Sequence, residues 1–156
     1  MSASKLQRII EAVSTRAAAI DGTGDYQTSI GTSVRRTRVQ PTENEVPCVH
    51  VYLDAREVGQ ENQAGLVIVA STLVVEGYVS RTGSDDEGQG IAVLSDIQQA
   101  IETEDYSIGA LIDVRNGGIK WQRDEVLYPD VGNSVVGGRV EYSIPHLRKP
   151  GDPEKS

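Results

Sequence analysis

The sequence predicts an α+β fold: an antiparallel or mixed β-sheet flanked by two main helices on one face, with an extra C-terminal hairpin. Three observations carry that expectation. Apolar residues recur at helical spacing in two stretches, residues 4–20 and about 90–104. Elsewhere they alternate with polar ones at the period of a strand. The alternating segments are joined by short polar or glycine-containing turns, which favour antiparallel neighbours with the helices gathered in one layer. At 156 residues the chain is long enough for one core. The expected domain spans residues 1–144, and residues 145–156, ending PHLRKPGDPEKS, form an exposed, mobile tail.

The first helix opens with Ser4 and Gln7, a capping-box pair, and carries Leu6, Ile9, Ile10, Val13, Ala17 and Ile20 on one stripe. The run Asp21-Gly22-Thr23-Gly24-Asp25 ends it, glycine being free to take the positive φ a helix end requires. Tyr26–Val39 reads as a strand with Ile30, Thr32, Val34, Arg36 and Arg38 on one face and Arg35 on the other. After a connection at Pro41–Glu45, a second strand follows in VPCVHVYLDAREV, and GQENQ at 59–63 is its hairpin turn. AGLVIVASTLVVEGYVSR, residues 64–81, exceeds the usual strand of about 5–6 residues and reads as long and bent, with an interruption near Ala70 and Ser71. The acidic turn TGSDDEGQG leads into the second helix, whose stripe is Ile91, Leu94, Ile97, Ala100 and Ile101. IGALIDV, the Asn116-Gly117-Gly118 turn and IKWQ form the extra hairpin; residues 124–134 are a loop, and VVGGRVEYSI is the last strand.

Two helices cover about one sheet face, yet the second and third strands carry apolar residues on both. Leu66, Ile68, Val74 and Tyr78 stand opposite Val67, Val69, Leu73 and Val75. The expectation is an exposed apolar face that a neighbouring subunit covers.

Composition narrows the function classes. A formal charge of −8 argues against a general nucleic-acid binder, which needs clustered cations. The charge is uneven: residues 1–40 hold six basic and three acidic side chains, the remainder nine and twenty. That asymmetry suits head-to-tail contact between copies, or simply solvated faces of opposite sign. No apolar run reaches the length of a membrane span. Arg8 and Glu11 inside the first apolar pattern do not read as a signal peptide, and the single Cys48 fits a reducing compartment.

Candidate chemistry is sparse. Gly22 and Gly24 follow a helix and precede a strand, the reverse of a phosphate-binding loop, and no Gly-Lys-Ser/Thr lysine follows. His50 and His146 have no partners at zinc-ligand spacing, and GNSVVG at 132–137 is one residue too long for a hydrolase elbow. Cys48 reads as a packed side chain, and Asp85, Asp86 and Glu87 lack the spacing of a calcium loop. The expectation is a non-enzyme with no catalytic residues, no cofactor and no metal site. Arg35, Arg36 and Arg38 are either a charged edge or a protein contact, with Asp85–Glu87 as the complementary element. Trp121 is an interface anchor if exposed, or a core residue.

LQRIIEAVSTRAAAI, GDYQTSIGTSVRRTRVQ and PTENEVPCVHVYL resemble the opening of phage tail terminator (tail completion) proteins. The likeness rests on an amphipathic first helix, a glycine-containing turn, Val34-x-Arg36-x-Arg38, and then Glu45, Pro47 and Val51. Leu94–Glu102, LSDIQQAIE, resembles an Asp-Ile-x-x-Ala-Ile segment of that family. The likeness covers roughly residues 4–110; the Asn116–Ser134 region and the charged tail depart from the shorter members. It implies a mixed sheet flanked by helices and a homo-oligomer, a hexameric ring, in the tail or neck of a virion made in the host cytoplasm. Such a ring caps the head-proximal end of the tail tube and stops its polymerisation. Its partners are the tube protein and the head–tail connector, and DNA passes the lumen without specific binding. Two alternatives stand beside it: a small α+β enzyme or ligand-binding domain with a cleft at Asp21–Tyr26, and a different head–tail connector.

Overall fold

The computed structural model describes residues 3–61, 67–102, 108, 118–148 and 151, without the side chains of 58–61, 67, 147 and 148. The chain has an α+β fold. Helix α1 (Lys5–Ala18) and helix α2 (Asp86–Ile101) pack on one face of a five-stranded sheet. The strands are β1 (Val34–Arg35), β2 (Cys48–Glu61), β3 (Val67–Ser80), β4 (Lys120–Leu127) and β5 (Val135–Arg148), in the order β1-β2-β3-β5-β4. Only β1 and β2 are parallel, which makes the sheet mixed.

α1 starts where the sequence places it. Ser4 Oγ accepts from the Gln7 amide and Gln7 Oε1 accepts from that of Ser4, so both ends of the capping box are made. Ile9, Val13 and Ala17 are fully buried and meet Val93, Ile97 and Ile101 of α2 and Val49, Val51, Leu73, Val75 and Val140 of the sheet in one core. The Arg16 guanidinium donates to the Ile101 carbonyl at 2.9 Å, joining α1 to the negative end of α2. α2 begins earlier than expected: Asp85 caps it by accepting from Gly88, and Asp86 and Glu87 lie in its first turn. Gly88 and Gly90, poor helix formers, hide this start in the sequence. Gly90 is needed for closeness, since a Cβ there would run into Val126.

The stretch Tyr26–Val39 is not a strand. Three hydrogen bonds to the buried Asp96 carboxylate bend it, from the amides of Gln27 (3.0 Å) and Thr28 (2.6 Å) and from the Thr28 hydroxyl (2.6 Å). The Gly31 amide then donates to the Ile20 carbonyl at 2.8 Å, drawing residues 30–32 into a helical turn under α1. Only Val34 and Arg35 remain to pair with β2. β3 is not interrupted: Ala70 and Ser71 are paired on both sides, with β2 and with β5. The irregularities lie instead in β2, between Leu53 and Ala55 and between Val58 and Gln60, and in β4 between Trp121 and Arg123.

The C-terminal half differs in two places. Residues 124–127 belong to β4, not to a loop, because Arg123 and Glu125 form ion pairs across the strands with Glu141 and Arg139. β5 runs on through Arg148, with Pro145 and His146 buried, so residues 145–148 belong to the sheet and not to the tail. Proline is tolerated there because β4 pairs with β5 only as far as Ser143. The terminal hairpin is therefore β4–β5. The expected IGALIDV strand and its Asn116-Gly117 turn lie outside the described residues, apart from Ile108, which is buried in the core.

Gly31 offers a direct test of this packing. A Cβ there would sit 2.5 Å from the Ala17 carbonyl and 2.7 Å from that of Ile20, backbone atoms that cannot yield. Gly31→Ala is expected to destabilise by about 2–3 kcal/mol. Gly24→Ala, at φ 61° with nothing within 4 Å, should cost only about 1 kcal/mol of backbone strain. Urea denaturation midpoints of the two variants check the contrast.

Candidate functional site

The sheet face turned away from the helices carries Cys48, His50 and Tyr52 of β2, Val74, Glu76 and Tyr78 of β3, and Val135, Gly137, Arg139 and Glu141 of β5. An exposed apolar surface was the expectation. Instead Cys48, His50, Tyr52, Val74, Glu76, Tyr78 and Val135 are all buried in a single chain. Residues 36–47 fold back over this face. Val46 packs on Cys48, Tyr78 and Val135 from one side, Leu127 packs on them too, and the Arg38 guanidinium lies 5.2 Å over the Tyr52 ring. The surplus apolar area is thus covered by the chain itself, and it does not call for a neighbour.

Glu76 sits at the centre, 7% exposed. Its two carboxylate oxygens accept from the Tyr52 and Tyr78 hydroxyls, each at 2.5 Å. Arg139 approaches Glu76 at 3.6 Å, Glu125 at 3.6 Å and Glu141 at 2.9 Å, so one guanidinium is shared among three carboxylates. Burial, then the hydrogen bond and charge of Glu76, push both phenols well above the ordinary tyrosine range. Above this cluster a groove of about 320 Å³ opens between Arg38 and Gln40 on one bank and Glu125–Tyr128 on the other.

The groups with catalytic names are buried. Burial raises the Cys48 thiol, outweighing the nearby Arg35, and the sulfur lies 3.7 Å from His50 Nε2. Burial lowers His50 and, more deeply enclosed, His146, whose Nδ1 lies 3.4 Å from the Ile144 carbonyl and which also faces Arg56 and Lys5. Among the described residues no set of three or more His, Cys, Asp or Glu could hold a metal ion.

Of the residues singled out by sequence, most are engaged within the chain. Arg35 pairs with Glu45, and Arg38 with Asp54 at 3.3 Å. Asp85 is the α2 cap, and Asp86 pairs with Arg81 at 2.7 Å. Arg36 is exposed with no ion pair among the described residues, and Glu87 has only a long contact, 3.5 Å, from the Tyr128 hydroxyl. Trp121 is 49% exposed and donates its indole N–H to Asp124 at 3.1 Å. Sequence reasoning passed over Glu76 and Asp96. Asp96 left a readable signal: it stands between Val93 and Ala100 on the apolar stripe of α2.

A second cleft, of about 410 Å³, lies between the Gly22–Ser29 loop, Pro47, Ser80 and Gln89. The sequence allowed a ligand at Asp21–Tyr26; of that stretch Gly22 alone lines this cleft. The Gln27 and Thr28 amides that a phosphate would use are already donated to Asp96. Among the described residues the large apolar side chains left exposed are Val39, Ile91, Trp121, Tyr128 and Val131. Trp121 is on β4, Tyr128 and Val131 follow it, and Ile91 stands one helical turn beyond Glu87, which Tyr128 contacts.

The shifted groups set the pH profile. Tyr52, Tyr78 and Tyr142 all keep their protons above the ordinary value of 10.0, so their contribution is complete below that pH and falls as the unfolded chain loses protons above it. His50 and His146 are lowered, so their contribution is complete above 6.5 and falls as pH drops and the unfolded chain binds protons. Stability should therefore decline on both sides of a plateau between about pH 6.5 and 10. Phenolate absorbance should show three of the six tyrosines ionising only as the chain unfolds. Free titration of these three in the folded protein would contradict it.

Comparison with known families and with curated proteins gave no match: no family model fits the chain, and no curated sequence matches it.

Proposed function

We propose that the chain is a structural virion subunit, a tail terminator that assembles as a hexameric ring on the head-proximal end of the tail tube and joins it to the head. One observation carries the reading: Trp121, Tyr128 and Val131 are exposed on or just after β4, while Cys48, His50 and His146 are buried. Exposed Trp and Tyr side chains are the anchors typical of protein interfaces. The helix-first layout, the two-helix layer and the mixed sheet agree with what the sequence resemblance implies. Among the described residues no helix is long and apolar enough to cross a membrane.

The second reading is a ligand-binding α+β domain, favoured by the cleft beside Gly22–Ser29. A ligand that binds only the folded state raises the melting temperature. Nucleotides, divalent metals and inorganic phosphate are expected to leave it unchanged; a dose-dependent rise would favour the cleft.

Deleting the gene from the phage that carries it tests the first reading. Tails of uncontrolled length, or tails unattached to heads, are the expected outcome in electron micrographs. Tails of normal length joined to heads would reject it.

A further inference from the structure

We infer that copies of this chain join by continuing the sheet, the edge of β4 in one copy adding antiparallel to the edge of β2 in the next. The inference rests on the ring reading and names the surface that would build the ring.

Among the described residues both edges are open at one segment. β1 covers β2 only at Val49 and His50, and Asp54, Ala55, Arg56 and Glu57 beyond it are exposed in succession, on both faces. On the other side of the sheet Lys120, Trp121, Gln122 and Arg123 of β4 are likewise exposed in succession. Among the described residues neither segment has a strand on its outer side. Each leaves a row of backbone donors and acceptors available for pairing.

Strand direction selects how they meet. β2 and β5 run one way, β3 and β4 the other. A second copy placed beyond β2 in the same orientation, helices on the same side, therefore presents its β4 antiparallel to β2. No two-fold flip is needed. Each copy uses one edge to give and one to receive, which is the head-to-tail contact that closes into rings.

Side-chain parity and charge select the register. Lys120 pairs with Ser143, Ser143 with Thr72, and Thr72 with Ala55, so Lys120 lies level with Ala55 across the sheet, on the face away from the helices. A stagger of two residues sets Lys120 opposite Glu57 of the next copy, both on that face. It sets Trp121 opposite Arg56, both on the helix face. One cross-strand pair is then an ion pair and the other a cation over an indole. Arg123 arrives beside Asp54, where both strands carry their irregularity. β1 limits the pairing to these exposed halves. The remainder of β4 then leads Tyr128 and Glu87 toward the neighbour's exposed Arg36 and Val39, the residues that lack an ion pair or burial in the single chain.

The test uses charge reversal with a built-in reporter, since Trp121 is the single tryptophan. Mass by sedimentation and Trp121 emission are followed against concentration for the full chain. Assembly is expected with a blue shift of the emission. Lys120→Glu and Glu57→Lys are each expected to raise the assembly midpoint about tenfold, and the double variant to restore it. Both sites are on the surface, so folding is checked by an unchanged urea midpoint. A chain that stays monomeric at every concentration, or an assembly indifferent to both reversals, overturns the edge pairing. So does an assembly whose double variant is no better than the singles. The ring reading fails separately, by the tail phenotype.

Discussion

A sheet with helices on one face only must still keep its other face dry, and here that requirement converges on one carboxylate. Glu76 lies mid-strand in β3, in register with His50 of β2 and Arg139 of β5. Left unpaired at 7% exposure it would be strongly destabilising. Tyr52 and Tyr78 occupy both its oxygens and Arg139 supplies the countercharge, so the face is closed by hydrogen bonds where a second layer of helices is missing. Arg38 over Tyr52 and the fold-back of residues 36–47 complete that cover. The consequence is that a single copy buries the apolar residues of this face by itself.

Periodicity made the layers legible. The stripe of α1, the capping box at Ser4 and the alternation of β2, β3 and β5 each repeat a local rule over many residues and were found where the pattern lies. The α2 stripe holds at Leu94, Ile97, Ala100 and Ile101 but not at Ile91, which is exposed. What escaped were single long-range bonds. Nothing near Tyr26 announces that Asp96, some seventy residues on, will hold its neighbours Gln27 and Thr28 and prevent a strand. The β4 ladder was hidden for a related reason: its partners are charged, and Arg123 and Glu125 look like loop residues until Glu141 and Arg139 stand beside them.

The candidate site was legible in its residue types and not in its arrangement. Both faces of the central strands were readable as bulky, which is true, but an inventory of apolar residues cannot tell whether the chain has a loop of its own to lay over them. Arg35 and Arg38 were marked as contact residues from their clustering; Glu45 and Asp54, close in sequence, take them up within the chain. Arg36 and Trp121 remain exposed. The contrast is one of reach: a charge finds an in-chain partner wherever the backbone brings one within about 4 Å, and at the outer edges no strand comes alongside among the described residues.

A pairing of four-residue edge segments is a weak joint, and its weakness fits the placement proposed. Bulges at Leu53–Ala55 in β2 and Trp121–Arg123 in β4 interrupt long flat ladders, which restrains indiscriminate stacking of free chains. Exposed ion pairs such as Lys120 with Glu57 contribute about 0.2–1 kcal/mol each, enough to fix register while free chains assemble only at raised concentration. In a ring every subunit makes two such joints, and the last one closes within a single assembly at high effective concentration. A tube end that holds several copies side by side supplies the same gain before closure. On the proposed reading, ring formation is coupled to the presence of a tube, and the timing of termination follows from the energetics of a short, charged, bulged edge.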